Sequence, residues 1–334
     1  MRVLLIASEP GLDSMEKHTL IALKNLGHEV AHFNTQKLTG FGKRMNNAMF
    51  SLLRLAIREP ERISEKSLLR LVGETAPDLI IVLLANNVSP KTIAAIRKQW
   101  QGKIVAWCQD ALVNLGRQYL IGAEYDHIFV KDHYMVDFLS NMVGHPSVHY
   151  LPEACNPAIH RTLVASPEEA RDYACDISTF GSLYYYRQAV LENLLAYDLK
   201  VWGPVPDWLV RKLGTRHLGR SIFEDEKCKA ISVTKITLNT LHYGEIASLN
   251  CRAFEVAGCG GFQLMSYSSA AAAHFVPDQE LVMYRNRKEM VEQIDHYLAR
   301  PEKRRAIAAA GQARAHHEHT YEKRLSQLIA TSTA

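Results

Sequence analysis

Apolar residues along this chain fall in short unbroken runs, not in alternation with polar ones. Residues 3–7, Val-Leu-Leu-Ile-Ala, form the first run. That is the pattern of a parallel strand buried on both faces. A polar loop from Ser8 to Ser14 follows, then helical spacing over 15–26 closed by Gly27, then a second strand over 29–33. Such a βαβ opening predicts a right-handed parallel sheet. Runs at 78–84, 103–107, 127–130 and 148–151 extend it to about six strands, with helices over 90–100 and 132–142 between them. Residues 152–157, Pro-Glu-Ala-Cys-Asn-Pro, read as a linker. The alternation then restarts, with strands over 176–180, 199–202, 235–241, 262–265 and 281–284 and helices over 185–196, 225–232 and 288–298. A last helical stretch, 306–329, is expected to break or bend at Gly311. Two successive βα blocks predict an α/β fold of two Rossmann-like domains facing across a cleft.

In parallel sheets of this kind ligands lie beyond the carboxyl ends of the strands. In the first block that edge carries the 8–14 loop with Asp13, and Asp110 after the 103–107 strand. In the second it carries Gly181-Ser182 and the stretch Ser248-Leu-Asn-Cys-Arg-Ala-Phe-Glu255, with Ser248 as the expected helix N-cap. Arg252 and Glu255, three residues apart, share a helical face with Asn250 close by. A guanidinium and a carboxylate at a helix N-terminus suit a ligand that has both phosphates and hydroxyls. A surface salt bridge on an ordinary helix explains the same residues. Likewise, Asp13 or Ser14 could simply cap the first helix, His18 could be a surface residue, and the glycines at 181, 260 and 261 could serve turns alone.

Composition narrows the classes. The chain has 334 residues, 47% hydrophobic and 22% charged, and a net charge of +4, too small to argue for nucleic acid. Its six cysteines include no Cys-x-x-Cys, which argues for reduced thiols in the cytoplasm and against a zinc site. The 8–14 loop has only Gly11, so the dinucleotide fingerprint is absent. No run reaches the roughly 20 residues that span a bilayer. The basic amphipathic stretch 43–58, with Lys43, Arg44, Arg54 and Arg58, could rest on the inner face of a membrane or pack on the core with its arginines solvated. Of His316, His317 and His319, only the first and last share a helical face, so a metal site there is not expected.

The second block also resembles a known family. Asn250-x-Arg252-x-Phe254-Glu255-x-x-x-Cys259-Gly260-Gly261 is similar to the signature of group 1-like glycosyltransferases of the spore-maturation-protein B type. So are Tyr297-Leu-x-x-Pro301-Glu-x-Arg304 and His319-Thr-Tyr-x-x-Arg324. Asp176-Ile-Ser-Thr-Phe-Gly-Ser182 with Arg187, Trp107-x-x-Asp110 and Leu151-Pro-Glu-Ala154 extend the likeness upstream. The resemblance implies a GT-B architecture with an acceptor domain over 1–156, a nucleotide-sugar domain over 157–310 and a helix over 311–334 crossing back to the first domain. It implies a metal-independent hexosyl transfer from a UDP- or dTDP-sugar to a glycan, lipid-linked saccharide or protein, as in polysaccharide biosynthesis. Glu255 would grip the ribose, and His319 and Tyr321 would pack the C-terminal motif. For the diphosphate the candidates are Arg252 and Arg187, helped by the backbone amides of Gly181 and Ser182, while Asn250 and the amides of Gly260 and Gly261 are expected beside the nucleotide. Asp13 is the first candidate base, Asp110 the second and His18 the third. The departure is at Ala247, where the family usually has the first glutamate of a Glu-x7-Glu pair. A catalytically silent sugar-nucleotide-binding module is therefore the alternative.

Overall fold

The computed structural model describes residues 1–35, 48–49, 52–53, 55–84, 87–204 and 212–334. The chain divides into two compact units. Unit 1 comprises Met1–Pro152 with Tyr321–Ala334, and unit 2 comprises Glu153–Thr320. Each is built on one parallel sheet flanked by helices, the two Rossmann-like domains of a GT-B fold. Half of the 43–58 stretch, including Lys43, Arg44 and Arg54, lies outside the described residues. No described helix is long and apolar enough to cross a membrane.

Among the described residues unit 1 has six strands: β1 (Arg2–Ala7), β2 (Glu29–Asn34), β3 (Leu79–Leu83), β4 (Lys103–Cys108), β5 (His127–Val130) and β6 (Val148–Tyr150), in the order β2-β1-β3-β4-β5-β6. The continuous apolar runs of β1, β3 and β4 are buried on both faces, as their lack of alternation requires. Unit 2 has β7 (Ile177–Phe180), β8 (Leu199–Trp202), β9 (Ile236–Asn239), β10 (Gln263–Ser266) and β11 (Val282–Tyr284), in the order β11-β10-β9-β7-β8. In each unit the first strand is flanked by the second on one side and the third on the other. The strand order therefore reverses between β1 and β3 in unit 1 and between β7 and β9 in unit 2. Crevices form where connections leave such a pair in opposite directions.

The end of the chain differs from expectation. The helix Pro301–Glu318 runs straight through Gly311, and the break falls at His319–Thr320, before the helix Tyr321–Thr333. The reason is packing. His319 is buried, its ring nitrogen meets the His274 carbonyl at 2.7 Å, and its own carbonyl accepts the Cys155 amide at 2.9 Å. That cross-link holds the chain in a non-helical step. Tyr321 then joins unit 1, its ring 5.0 Å from that of His18 and 6.2 Å from that of Trp107. Trp107 is fixed in turn by donating to the Leu151 carbonyl at 3.1 Å. His18 is therefore no surface residue but a fully buried member of this aromatic stack.

Gly311 has a different role from a hinge. A Cβ there would lie 2.4 Å from the Glu280 carbonyl oxygen, so only glycine lets the helix approach that backbone. Replacing a helical glycine by alanine ordinarily stabilises by about 1 kcal/mol. Gly311→Ala is expected instead to destabilise by roughly 1–3 kcal/mol through overpacking. Denaturant unfolding measures this, and a stabilised variant would contradict the close contact.

Candidate functional site

The site is best built from the reversal point of unit 2, at the carboxyl ends of β7 and β9. β9 ends in Asn239, which is wholly buried and followed by Thr240. The helix Cys251–Gly258 starts beside it. Its N-cap is Asn250, whose side chain accepts the Ala253 amide at 3.2 Å, so the cap lies two residues beyond Ser248. Ser248 is buried instead, and its carbonyl accepts from the Ser268 hydroxyl at 2.8 Å. Asn239 and Asn250 pair reciprocally through their amides at 3.0 and 2.9 Å. Asn239 also donates to Gln263 of β10 at 2.9 Å, and Gln263 donates to the Ala253 carbonyl at 3.2 Å. This satisfied polar ladder fixes the helix start against two strand ends.

The ladder positions Arg252, whose Nη1 donates to Asn239 Oδ1 at 3.0 Å. Arg187, on the helix Tyr185–Leu191, is buried and donates Nε to the Thr240 hydroxyl at 2.9 Å and Nη2 to the Thr240 carbonyl at 3.3 Å. Its Nη1 donates to the Ser182 carbonyl. The two guanidiniums converge over Gly181. A Cβ at that residue would lie 2.5 Å from Arg252 Nη2 and 3.8 Å from Arg187 Nη1, and its φ of +99° is itself a glycine conformation. All these acceptors are neutral, and among the described residues neither arginine forms an ion pair. Burial first, and then the neighbouring Arg187, pull the Arg252 guanidinium down to about 10. It remains charged at neutral pH.

Glu255 does not pair with Arg252. It is buried against Lys227, with Nζ at 3.1 Å, and its other oxygen lies 4.0 Å from His160 Nε2. His160 Nδ1 accepts the Asn156 amide at 3.0 Å. Lys227 and His160 were missed by sequence reasoning because neither belongs to the local motif. Only the packing of the helix Glu224–Val233 and the 153–160 segment brings them to Glu255.

Other expected members do not join the cluster as foreseen. The Gly260 amide donates to the Ala257 carbonyl at 2.8 Å and the Gly261 amide to the Val256 carbonyl at 3.0 Å. Both amides therefore close the C-terminus of the helix, the end opposite the arginines, and are not free for the nucleotide. The Gly181 amide is likewise taken by the Trp202 carbonyl at 2.9 Å. Ser182 is exposed and contributes its carbonyl to Arg187.

Beside the arginines is an aromatic group that the sequence did not single out. Tyr184 lies under Arg187 at 5.8 Å and packs edge-on against His242 at 5.8 Å, and His242 meets Tyr243 at 4.0 Å. Tyr184 and Tyr243 are 50% and 77% exposed, leaving ring surface open next to the charge.

In unit 1, Asp13 sits at the reversal point between β1 and β3. Ser14 and not Asp13 caps the first helix, accepting the Lys17 amide at 3.3 Å. Asp13 has a left-handed backbone, φ +51°, a conformation that strained functional loops adopt. Its carboxylate lies within 4.8 Å of a His18 ring nitrogen. Asp110 is engaged locally, accepting from the Ala111 amide at 3.0 Å and the Asn114 side chain at 2.7 Å, and so caps the turn that follows.

Solved structures with the same two-unit fold span nearly the whole chain. Sucrose-phosphate synthase from Thermosynechococcus elongatus superposes with a TM-score of 0.70 at 13% identity, covering 99% of this chain and 98% of that one. A glycosyltransferase from Rickettsia africae gives a TM-score of 0.67 at 9% identity, covering 99% and 97%. HepE of Anabaena in complex with UDP-glucose gives a TM-score of 0.66 at 13% identity, covering 99% of both chains. Among curated protein sequences none matches this one. In sequence, residues 187–330, which include Arg187, Arg252 and Glu255, match the profile of the family described as glycosyl transferase-like.

Proposed function

We propose that the protein is a metal-independent glycosyltransferase of the spore-maturation-protein B type. It would move a hexose from a UDP- or dTDP-sugar to a glycan, lipid-linked saccharide or protein. The observation that carries this reading is the convergence over Gly181 of two guanidiniums that have only neutral partners. Two like charges held together at partial burial are unfavourable until an anion lies between them. A diphosphate meets both with planar, bidentate donors. The match of residues 187–330 to the glycosyl transferase-like profile, and a neighbour of the same fold bound to UDP-glucose, support the choice of anion.

In the reaction the bond between the anomeric carbon and the diphosphate oxygen breaks, and the electron pair leaves with the diphosphate. Arg187 and Arg252 stabilise that growing charge, the work that a bound cation would otherwise do. The acceptor hydroxyl oxygen forms the new bond to the anomeric carbon and gives up its proton. Asp13 of unit 1 is assigned that proton, with His18 beside it as a positioning residue. Glu255 accepts from the ribose hydroxyls, oriented by Lys227, which holds one carboxylate oxygen. Tyr184 and Tyr243 offer faces to the sugar or the base.

Three variants test this assignment. Arg252→Ala should weaken UDP binding by roughly 10- to 100-fold, as expected for loss of a hydrogen bond to a charged group, even with chelator present. Asp13→Asn should leave UDP affinity intact and abolish turnover. Unchanged UDP affinity in Arg252→Ala contradicts the reading. For Glu255, the wild-type chain should prefer UDP over 2′,3′-dideoxy-UDP by roughly tenfold or more, and Glu255→Gln should erase most of that preference. Equal preference in both proteins would remove Glu255 from the ribose.

A further inference from the structure

The same carboxyl edge of unit 2 has a second concavity, beyond β10 and β11, with a volume of about 340 Å³. Small-molecule sites run from about 300 to 1,000 Å³. Tyr267 follows β10 directly, Arg285 follows β11 directly, and Ser269, Asp278 and Gln293 add to the polar lining. The Arg285 guanidinium stacks 4.3 Å from the Tyr267 ring centroid. Among the described residues that guanidinium has no hydrogen-bond or ion-pair partner. The Asp278 carboxylate, the Ser269 hydroxyl and the Gln293 amide likewise make no hydrogen bond there. Asp278 holds a left-handed backbone, φ +60°. Glu289, by contrast, is engaged, accepting the Arg285 amide at 2.7 Å. Its own amide donates to the N-cap Asn286 at 2.9 Å.

We propose that this concavity is a saccharide subsite that holds a neutral, hydroxyl-rich unit of the acceptor glycan away from the reacting hydroxyl. The lining selects this class. An apolar ligand would strip water from four polar side chains without replacing its hydrogen bonds. A phosphate or carboxylate on Arg285 would meet the charges of Asp278 and Glu289. A polyol gives donors to Asp278 and Ser269 and acceptors to Arg285 and Gln293, and lays its C–H face against Tyr267. Strands lie about 4.8 Å apart, so this place is roughly two strand spacings, about 10 Å, from the arginines. That is too far for the transferred sugar itself, and suits a neighbouring unit of an oligosaccharide. The proposal rests on the transferase reading.

The test titrates the full chain with maltose, cellobiose and N,N′-diacetylchitobiose, using saturation-transfer NMR and calorimetry, and measures UDP binding separately. At least one disaccharide should bind saturably. Tyr267→Ala and Arg285→Ala, both at exposed positions, should each weaken that binding by roughly tenfold and leave UDP affinity unchanged. The subsite is overturned if none of the three binds, or if binding survives both substitutions. Absence of UDP binding in the wild-type chain would count against the transferase reading and not against the subsite.

Discussion

Two positive charges are held together at the carboxyl edge of the second sheet, and much of unit 2 is arranged to keep them there. Arg187 and Arg252 come from different helices and meet over the Cα of Gly181, the one residue type that leaves room for both. Partial burial weakens their solvation, which is why Arg252 titrates well below an ordinary guanidinium. A carboxylate between them would relieve the repulsion and close the site. Their neutral partners, the Asn239 amide and the hydroxyl and carbonyl of Thr240, orient the guanidiniums without cancelling their charge.

The fold supplies this at little cost. Because β7 is flanked by β8 on one side and β9 on the other, the connections diverge and leave a crevice where Gly181 follows β7 and Asn239 ends β9. The Gln263–Asn239–Asn250 ladder ties two strand ends to the start of the Cys251–Gly258 helix and presents the positive end of that helix to the crevice. One turn further on, Lys227 holds Glu255 in place. Removing either member of such a buried pair costs about 3–5 kcal/mol, which anchors the carboxylate firmly.

The fold was legible chiefly because the central strands β1, β3 and β4 are short apolar runs with turn residues at their ends, and a parallel sheet buried on both faces permits little else. Arg252, Asn250 and Glu255 were legible as polar residues at the ligand-bearing edge, and Arg187 through the family resemblance. Their partners were not, because partnership is set by tertiary packing. Lys227 lies 28 residues from Glu255, and nothing in its own helix marks it as inward-facing. For Gly260 and Gly261 the sequence left both roles open, because a glycine pair after a helix looks the same whether its amides face a ligand or the preceding turn. Gly311 misled for a similar reason. A glycine required by a close carbonyl contact and one that permits a bend share one letter, and only Glu280, 31 positions earlier in the chain, separates them.

The central claim is that the paired guanidiniums exist for a diphosphate. It is tested most directly by calorimetric titration of the full chain with uridine, UMP and UDP at a series of salt concentrations. The account predicts that affinity rises steeply from uridine to UDP, with the second phosphate adding a large share, and that the gain shrinks as salt screens the charges. Equal affinity for uridine and UDP, or a UDP affinity indifferent to salt, would contradict it.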